Sequence, residues 1–243
     1  MIETNKRGEF IISGVPRDLA IDFCKRNAPW RMEVVFDDIR TSQFESYQPF
    51  NPAPLAKLNS ILQNIPTEFI ANGDALDIGC NIGYNSIYLA NKHNMRVTGI
   101  DVNARLLAVA SEIAKFSGQD ATFLSSSAET FISPQKLSLI LHLGTLYHLA
   151  NPYLSFQSCA RSLKSGGYFA LETMCYRGSK DPFACKWIFG LQGDKTNFWS
   201  LGEGAVKSML ESCGFSTPVA VSESSPAVYA GEHARVTWIA TKT

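Results

Sequence analysis

The chain has 243 residues with 22 basic and 22 acidic side chains, so its formal net charge is zero. A balanced charge gives no sign of a surface that attracts nucleic acid or an anionic membrane. The sequence holds no run of roughly 20 apolar residues, as a membrane span needs. We therefore expect a cytoplasmic protein with neither of these partners. Its six cysteines include no Cys-x-x-Cys pair, so no metal site is expected.

Residues 1–53 mix short apolar runs with seven basic and seven acidic side chains up to Arg40. We predict an N-terminal extension here that covers the cleft of the following domain, with a short helix near Pro16 to Lys25. Trp30 is a candidate to line that cleft, and packing in the interior is the alternative. Apolar residues recur at helical spacing from Leu55 to Ile65, which predicts an amphipathic helix before the first strand.

Short apolar strands alternate with helical segments from residue 75 onward, within a predicted domain of residues 54–243. This alternation predicts an α/β fold, a Rossmann-like doubly wound sheet of seven strands, mostly parallel, with a C-terminal antiparallel hairpin. Ligands of such sheets bind beyond the carboxyl ends of the strands. The predicted strands lie at 75–77, 97–101, 121–124, 137–143, 168–173 (after a turn at 164–167), 218–221 and 235–241. The predicted later helices cover 104–116 and 203–213.

The first strand runs into the motif Asp77-x-Gly79-x-x-x-Gly83, followed by apolar residues at helical spacing. Glycines let the backbone approach a ligand closely, and the helix that follows offers unpaired N–H groups at its first turn. The spacing differs from the dinucleotide and phosphate-loop motifs. It suits a nucleoside with a positive charge, and S-adenosylmethionine is the obvious candidate, with S-adenosylhomocysteine as its product. We interpret Cys80 and Asn81 in this donor loop as chosen for size and turn geometry.

Three acidic side chains stand at positions expected to contact this donor. Asp77 could meet the ammonium of the methionine part or stabilise the turn. Asp101 ends the second strand, where an acid accepts hydrogen bonds from both ribose hydroxyls, and capping of the next helix is the alternative. Ala128 and Glu129 follow the third strand, where a peptide N–H and a side chain could read the adenine edge. Glu129 could equally be a solvated acid at a helix start.

Candidate catalytic residues follow the fourth and fifth strands. Methyl transfer is an in-line displacement, so positioning of the reactants supplies most of the acceleration. His148 has a suitable ordinary pKa to remove a proton from a hydroxyl or a protonated amine, and fixing its own loop is the alternative. Tyr147 could line the methyl group or orient the acceptor, and packing is its alternative. Glu172 is the other candidate for acceptor contact or base.

The segment at about 174–202 departs from the strand–helix repeat. It begins at the carboxyl end of a strand and carries aromatic residues, including Trp199, among Gly, Lys and Asp. A long loop of this kind at that edge predicts a lid or a substrate wall. The alternative is a surface excursion packed on its own side chains.

From about Leu55 to the C-terminus the chain resembles class I S-adenosylmethionine-dependent methyltransferases. The donor loop and Asp101 are the residues that carry this resemblance. Within that superfamily, the chain looks most like the tRNA wobble-uridine carboxymethyltransferase group and its relatives that methylate small molecules. The segments that carry this closer resemblance are Leu143 to His148, Asn151-Pro152, Leu171 to Thr173 and Ser212 to Phe215. The resemblance implies a donor pocket, to which we also assign Val102. The residues implied are Gly79, Asp101, Asn103, Ala128, Glu129, Leu143, Tyr147 and Arg235.

The chain also departs from the wobble-uridine enzymes, since it lacks their N-terminal Lys-Gly-Pro-Phe and is electrically neutral, whereas tRNA binding normally needs a basic surface. We therefore predict a methyltransferase that acts on a small metabolite or natural-product intermediate. Arg235 could instead pair with an acidic group of that substrate, or with a carboxylate of the protein itself. The alternatives are a tRNA wobble-uridine modifying enzyme and an inactive donor-binding regulatory module. The sequence gives no indication of the oligomeric state.

Overall fold

A computed structural model describes residues 2–4, 9–51, 55–224 and 231–243. The predicted boundary between extension and main domain, at residues 53 and 54, lies outside these ranges. Within its described residues, the N-terminal part contains one α-helix, six short strands and a 3-10 turn at Thr41–Gln43. They are β1 (Ile2–Thr4), β2 (Phe10–Ile12), α1 (Arg17–Asn27), β3 (Trp30–Met32), β4 (Val35–Phe36), β5 (Ile39–Arg40) and β6 (Ser46–Asn51).

The main part follows the predicted alternation of strands and helices. Its helices are α2 (Leu55–Leu62), α3 (Thr67–Ile70), α4 (Tyr84–His93), α5 (Ala104–Ser117), α6 (Pro152–Ser162) and α7 (Glu203–Ser212). Its strands are β7 (Asp74–Ile78), β8 (Arg96–Asp101), β9 (Ala121–Ser125), β10 (Leu137–Leu143), β11 (Leu163–Tyr176), β12 (Lys186–Trp187), β13 (Trp199–Ser200), β14 (Val219–Ser224) and β15 (His233–Thr241). The spacing of apolar residues in the sequence does not predict α6.

Seven of these strands form one sheet in the order β14-β15-β11-β10-β7-β8-β9. The five strands from β7 to β11 are parallel to one another, whereas β15 runs antiparallel to both β11 and β14. This confirms the predicted fold class. The chain leaves β7 toward β8 on one side and returns on the other side with β10, so the strand order reverses between β7 and β10. A cleft is expected at that point of a doubly wound sheet.

The fifth strand is longer than predicted. It begins at Leu163, and the predicted turn at 164–167 is an irregularity within it, where Leu137 pairs with Leu163 but Leu139 already pairs with Tyr168. Pairing with β15 extends the strand to Tyr176. Gly166 keeps a left-handed φ of 74°, so the turn signal of the glycines persists as a local break in register within the longer strand.

Successive side chains of the central strand β10 point to opposite faces of the sheet, and each face carries its own hydrophobic cluster. Leu139 and Leu141 pack in one cluster with residues of α2, α4 and α5, while Ile140 packs in the other with residues of α6 and α7. Burial of each such side chain stabilises the fold by about 1.5–3 kcal/mol. Both faces are therefore covered, as strands that are apolar on both sides require.

The N-terminal part packs on the main part through aromatic rings. Phe23 of α1 and Phe36 of β4 both contact the ring of Phe116 in α5, with centroids 5.3 and 5.7 Å apart. Both phenylalanines belong to the cluster that covers one face of the sheet. Within the ranges that the structure describes, no helix is long and apolar enough to cross a membrane.

Candidate functional site

The loop after β7 folds back across the end of β8. Gly79 and Gly83 have φ values of 68° and 76°, in the region that glycine adopts without strain. The N–H groups of Gly79 and Cys80 donate to the carbonyl of Ile100 at 2.8 and 3.0 Å. A Cβ atom on Gly79 would also overlap the Thr145 side chain. The loop therefore requires glycine for its conformation and for space.

Asp101 joins the donor loop to the start of α5. Its two carboxylate oxygens accept the N–H groups of Asn81 and Asn103, at 3.0 and 2.9 Å. The Asn103 side chain in turn caps α5, and Asn81 stands at a φ of 53°. Val102 lies beside this carboxylate with 76% of its surface exposed. The predicted ribose position thus combines a fixed carboxylate with an exposed apolar side chain.

Asp77 lies behind the donor loop and is almost completely buried. The Ser86 hydroxyl donates to its carboxylate at 2.7 Å. Burial raises the pKa of Asp77 to about 7, although the hydrogen bonds from Ser86 act in the opposite direction. Burial likewise raises the pKa of the Cys80 thiol. The contacts of Asp77 are those of a group that holds the loop on α4.

Ala128 and Glu129 follow β9 at the same edge of the sheet. Ala128 is buried, and the Glu129 carboxylate accepts the N–H of Asn151, directly before α6. The Ser158 hydroxyl donates to the Glu129 carbonyl at 2.9 Å. Glu129 therefore fastens α6 to the β9 loop in this structure.

A cavity of about 430 Å³ opens where the strand order reverses. Its floor contains Gly79 after β7 and Leu143 and Gly144 at the end of β10, while Lys57 of α2 and Met32 of β3 border it from the other side. The lining residues are Met32, Ala56, Lys57, Leu58, Gly79, Cys80, Asn81, Tyr84, Asn85, Leu143 and Gly144.

A buried carboxylate links three elements beside this cavity. Glu172 of β11, 1% exposed, accepts the guanidinium of Arg235 through both oxygens and lies 3.1 Å from the Lys57 ammonium. Arg235 also donates to the Tyr147 hydroxyl at 3.1 Å. Burial alone would raise the pKa of Glu172, but Arg235 and then Lys57 hold it below its ordinary value. Arg235 is thus paired with a carboxylate of the protein itself, and Glu172 is held in its charged form.

His148 belongs to a short 3-10 turn after β10 and is half-buried. Its Nδ1 lies 3.1 Å from the Thr196 carbonyl oxygen and 3.0 Å from the Thr196 hydroxyl. Its ring packs against that of Tyr147, with centroids 4.3 Å apart. Desolvation lowers the pKa of His148, so the imidazole is neutral at neutral pH.

The excursion after β11 is a small hairpin formed by β12 and β13. The rings of Trp187 and Phe198 are stacked 5.4 Å apart, and Phe189 extends the stack. Trp199 contacts Trp187 edge to face, and its indole donates to the Ala150 carbonyl at 3.3 Å. Trp199 is therefore fixed against the loop that carries His148.

The side chain of Trp30 packs in the protein interior. It is 2% exposed, its indole donates to the Cys24 carbonyl at 2.8 Å, and its ring packs near Phe23. It also borders a second cavity of about 280 Å³, together with Asn81 and Asn103.

Residues 76–171 match the protein family that is described as a methyltransferase domain. The chain contains a methyltransferase domain. The predicted resemblance to methyltransferases is thereby confirmed, and the match ends at Leu171, directly before Glu172.

Curated relatives of this methyltransferase domain act on different kinds of molecule. The ubiquinone biosynthesis O-methyltransferase of Nitrosomonas europaea is 27% identical over 135 residues, which are 55% of this chain and 55% of that protein. The tRNA U34 carboxymethyltransferase of Nautilia profundicola is 26% identical over 161 residues, 66% of this chain and 49% of that protein. The chain thus spans about half the length of these relatives.

A solved structure covers more of the chain. The N-terminal domain of EvdMO1 with S-adenosylhomocysteine bound is similar over 93% of this chain and 97% of that domain, with a TM-score of 0.74 and 17% identity. This similarity includes regions on both sides of the methyltransferase-domain match, and it supports the fold assignment independently of sequence.

Three polar residues at the site were missed from the sequence: Lys57, Asp194 and Thr196. Lys57 follows Ala56 on a helix recognised only by its apolar positions, so nothing marked it as a cleft residue. Asp194 and Thr196 stand in Gly-Asp-Lys-Thr-Asn, which reads as an ordinary turn. The fold alone brings them to His148.

Proposed function

We propose that the chain transfers the methyl group of S-adenosylmethionine to a small-molecule acceptor by in-line displacement. The observation that carries the proposal is the cavity of about 430 Å³ between the donor loop and the end of β10. It lies at the point of strand reversal, where doubly wound sheets bind their ligands. The family match and a similar domain with S-adenosylhomocysteine bound support the same donor.

The residues present fit this donor. Asp101 would hold the ribose, Val102 offers an apolar surface beside it for the adenine, and Gly79 leaves room for the methionine part. The donor supplies a methyl group on a positively charged sulfur. The chain supplies alignment, since Tyr147 and His148 are on the loop that follows Leu143 at the cavity floor.

Among the candidate bases we propose His148 rather than Glu172. Both oxygens of Glu172 are engaged by cations, and its lowered pKa makes it a poor proton acceptor. His148 is neutral and more exposed. Glu172 would instead hold Arg235 and Tyr147 in place.

A small acceptor is favoured over tRNA by charge and by the size of the cleft. The chain has no net positive charge, which tRNA binding normally requires. Met32 of the N-terminal part borders the cavity, and we propose that residues 1–53 cover it. A macromolecule would have to displace this cover.

The first expected result is that S-adenosylhomocysteine binds. Isothermal titration calorimetry of the full chain is expected to give one site per chain, and a thermal shift should accompany binding because the ligand binds only the folded state. Absence of both heat and thermal shift at millimolar ligand would contradict the proposed function. If the protein transfers a labelled methyl group from S-adenosylmethionine to bulk tRNA but not to small molecules, that result would favour the tRNA alternative.

Lys57→Gln is expected to weaken the binding of S-adenosylhomocysteine about tenfold, because one charge-assisted hydrogen bond is lost. Among the described residues that line the cavity, Lys57 carries the only charge, and its side chain is 44% exposed beside Glu172. We propose that it contacts the carboxylate of the donor's methionine part. 5′-Methylthioadenosine lacks that carboxylate, so its affinity should not change.

Titration of both ligands into the wild type and Lys57→Gln checks this expectation. Lys92→Gln, at an exposed position of α4, is the matched control and should bind both ligands like the wild type. An equal loss for the two ligands, or no loss for either, contradicts the assignment of Lys57.

A further inference from the structure

A short segment of the excursion, Asp194–Phe198, is bonded to the loop that carries His148. The Phe198 N–H donates to the Tyr147 carbonyl at 2.8 Å. Asp194 holds the turn, because its carboxylate oxygen accepts both the N–H and the hydroxyl of Thr196, at 2.9 and 2.6 Å. We call Asp194–Phe198 the clamp.

The clamp determines which nitrogen of His148 carries the proton. The Thr196 carbonyl can only accept a hydrogen bond. The Thr196 hydroxyl directs its own proton to Asp194, so it also presents a lone pair to Nδ1. Since Nδ1 faces acceptors on both counts, neutral His148 must be protonated there. Nε2 is then left with its lone pair, the reverse of the tautomer that free histidine favours.

The charges around His148 have opposing effects on its pKa. Desolvation lowers it most, the Thr196 carbonyl and the charges of Asp194 and Asp101 raise it, and Arg235 lowers it. The negative charge of Asp194 therefore favours the imidazolium that would form when Nε2 takes up a proton. Arg235 and burial keep the ring neutral before that step.

We propose that Thr196 and Asp194 are positioning residues that hold His148 with Nε2 free to accept a proton, so that the acceptor is a hydroxyl or a protonated amine. This inference rests on the proposed methyl transfer and narrows its substrate class. Acceptors with no proton to lose, such as a tertiary amine, have no use for this arrangement.

Methyl transfer to a hydroxyl or a protonated amine exchanges a carbon–sulfur bond for a carbon–oxygen or carbon–nitrogen bond. A lone pair of the hydroxyl oxygen, or of the amine nitrogen once Nε2 of His148 has taken its proton, forms the new bond to the methyl carbon. The carbon–sulfur bond breaks, and its electron pair remains on sulfur. The proton of the acceptor goes to Nε2 of His148 and afterwards to solvent.

Nitrogen-15 NMR of the histidine-labelled full chain tests the inference without an acceptor. His148→Gln assigns the signal among the four histidines. Above its pKa, wild-type His148 should show a protonated Nδ1 and an unprotonated Nε2. In Asp194→Asn the amide oxygen still accepts from Thr196, so the tautomer should persist while the pKa of His148 falls.

Variants within the same excursion supply the controls. Asp181→Asn alters the aspartate of another turn, which accepts from the Phe183 N–H, and it should leave the titration of His148 unchanged. Thr196→Val should lower the pKa of His148 as Asp194→Asn does, whereas Thr196→Ser should restore wild-type behaviour. A proton on Nε2 of neutral His148, or an Asp194→Asn titration that superimposes on the wild type, overturns the inference.

The same samples separate this inference from the proposed function. S-Adenosylhomocysteine should bind the wild type, Asp194→Asn and Thr196→Val equally, since the hydrogen bonds described for the clamp lie within it or go to Tyr147 and His148. Donor binding together with the wrong tautomer removes only the positioning role. Failure to bind the donor removes the proposed function, and with it the acceptor class inferred from the clamp.

Discussion

Asp101→Ala is expected to weaken S-adenosylhomocysteine binding by about 1.5–3 kcal/mol, roughly 10- to 150-fold in the dissociation constant. Under the proposed function the carboxylate accepts hydrogen bonds from both ribose hydroxyls. It already accepts the N–H groups of Asn81 and Asn103, so it is held in place before the ligand arrives. The loss therefore combines missing ligand contacts with a less ordered donor loop. Calorimetric titration measures it.

Two controls make the Asp101 result interpretable. Asp120→Ala removes an exposed acid directly before β9 and should bind like the wild type. Urea unfolding of Asp101→Ala, compared with the wild type, separates loss of fold from loss of affinity. An Asp101→Ala protein that is folded and binds with unchanged affinity would refute the ribose role.

Arg235→Met is expected to lower the free energy of unfolding by about 3 kcal/mol, the lower end of the range for breaking a buried ion pair. Glu172 is 1% exposed, so removal of the guanidinium leaves its charge without its bidentate partner. The Lys57 ammonium remains 3.1 Å away and limits the loss. Urea denaturation at neutral pH measures the change.

A double-mutant cycle isolates this pair. Glu172→Gln combined with Arg235→Met removes the buried charge along with its partner, so the double variant should be more stable than Arg235→Met alone. Arg96→Met is the matched control, because the side chain of Arg96 is 71% exposed in its pair with Asp74 and such pairs contribute below about 1 kcal/mol. Equal losses for the buried and the exposed pair would contradict the assigned role of Arg235.

The pH dependence of this pair has a definite sign. The pKa of Glu172 is lowered in the folded state by Arg235, then Lys57, against the effect of burial. Its contribution to stability is therefore present above the pKa of the unfolded carboxyl group and lost as the pH falls through the folded value. The stability difference between the wild type and Arg235→Met should accordingly shrink on acidification.

Most of the main sheet could be predicted from the sequence, because each strand carries its own apolar run. The strand at Leu137–Leu143 was predicted with its observed bounds. The helix Pro152–Ser162 was missed even though Asn151 caps it, since its buried face is built from serines, a cysteine and one phenylalanine. A helix whose buried face is small and polar gives little periodic signal.

Some site residues owe their conformation to the local sequence, whereas others owe their contacts to distant parts of the chain. The donor loop depends on Gly79 and Gly83, whose left-handed backbone is encoded in the residues themselves. The roles of Glu172 and Arg235 depend on pairing between β11 and β15, where Glu172 lies opposite Thr237 and Met174 opposite Arg235. The sequence named both residues, but only this register shows that they neutralise each other.

The α/β repeat and the glycine corner with Asp101 follow from the sequence alone, because apolar periodicity and backbone freedom are properties of short stretches. Tertiary structure alone decided the charge state and partners of the catalytic candidates. Lys57 and Arg235 reach Glu172 from distant parts of the chain, and Thr196 reaches His148 across 48 positions. Burial and hydrogen bonding between such distant residues set which group keeps its charge and which nitrogen keeps its proton, and no local pattern encodes that.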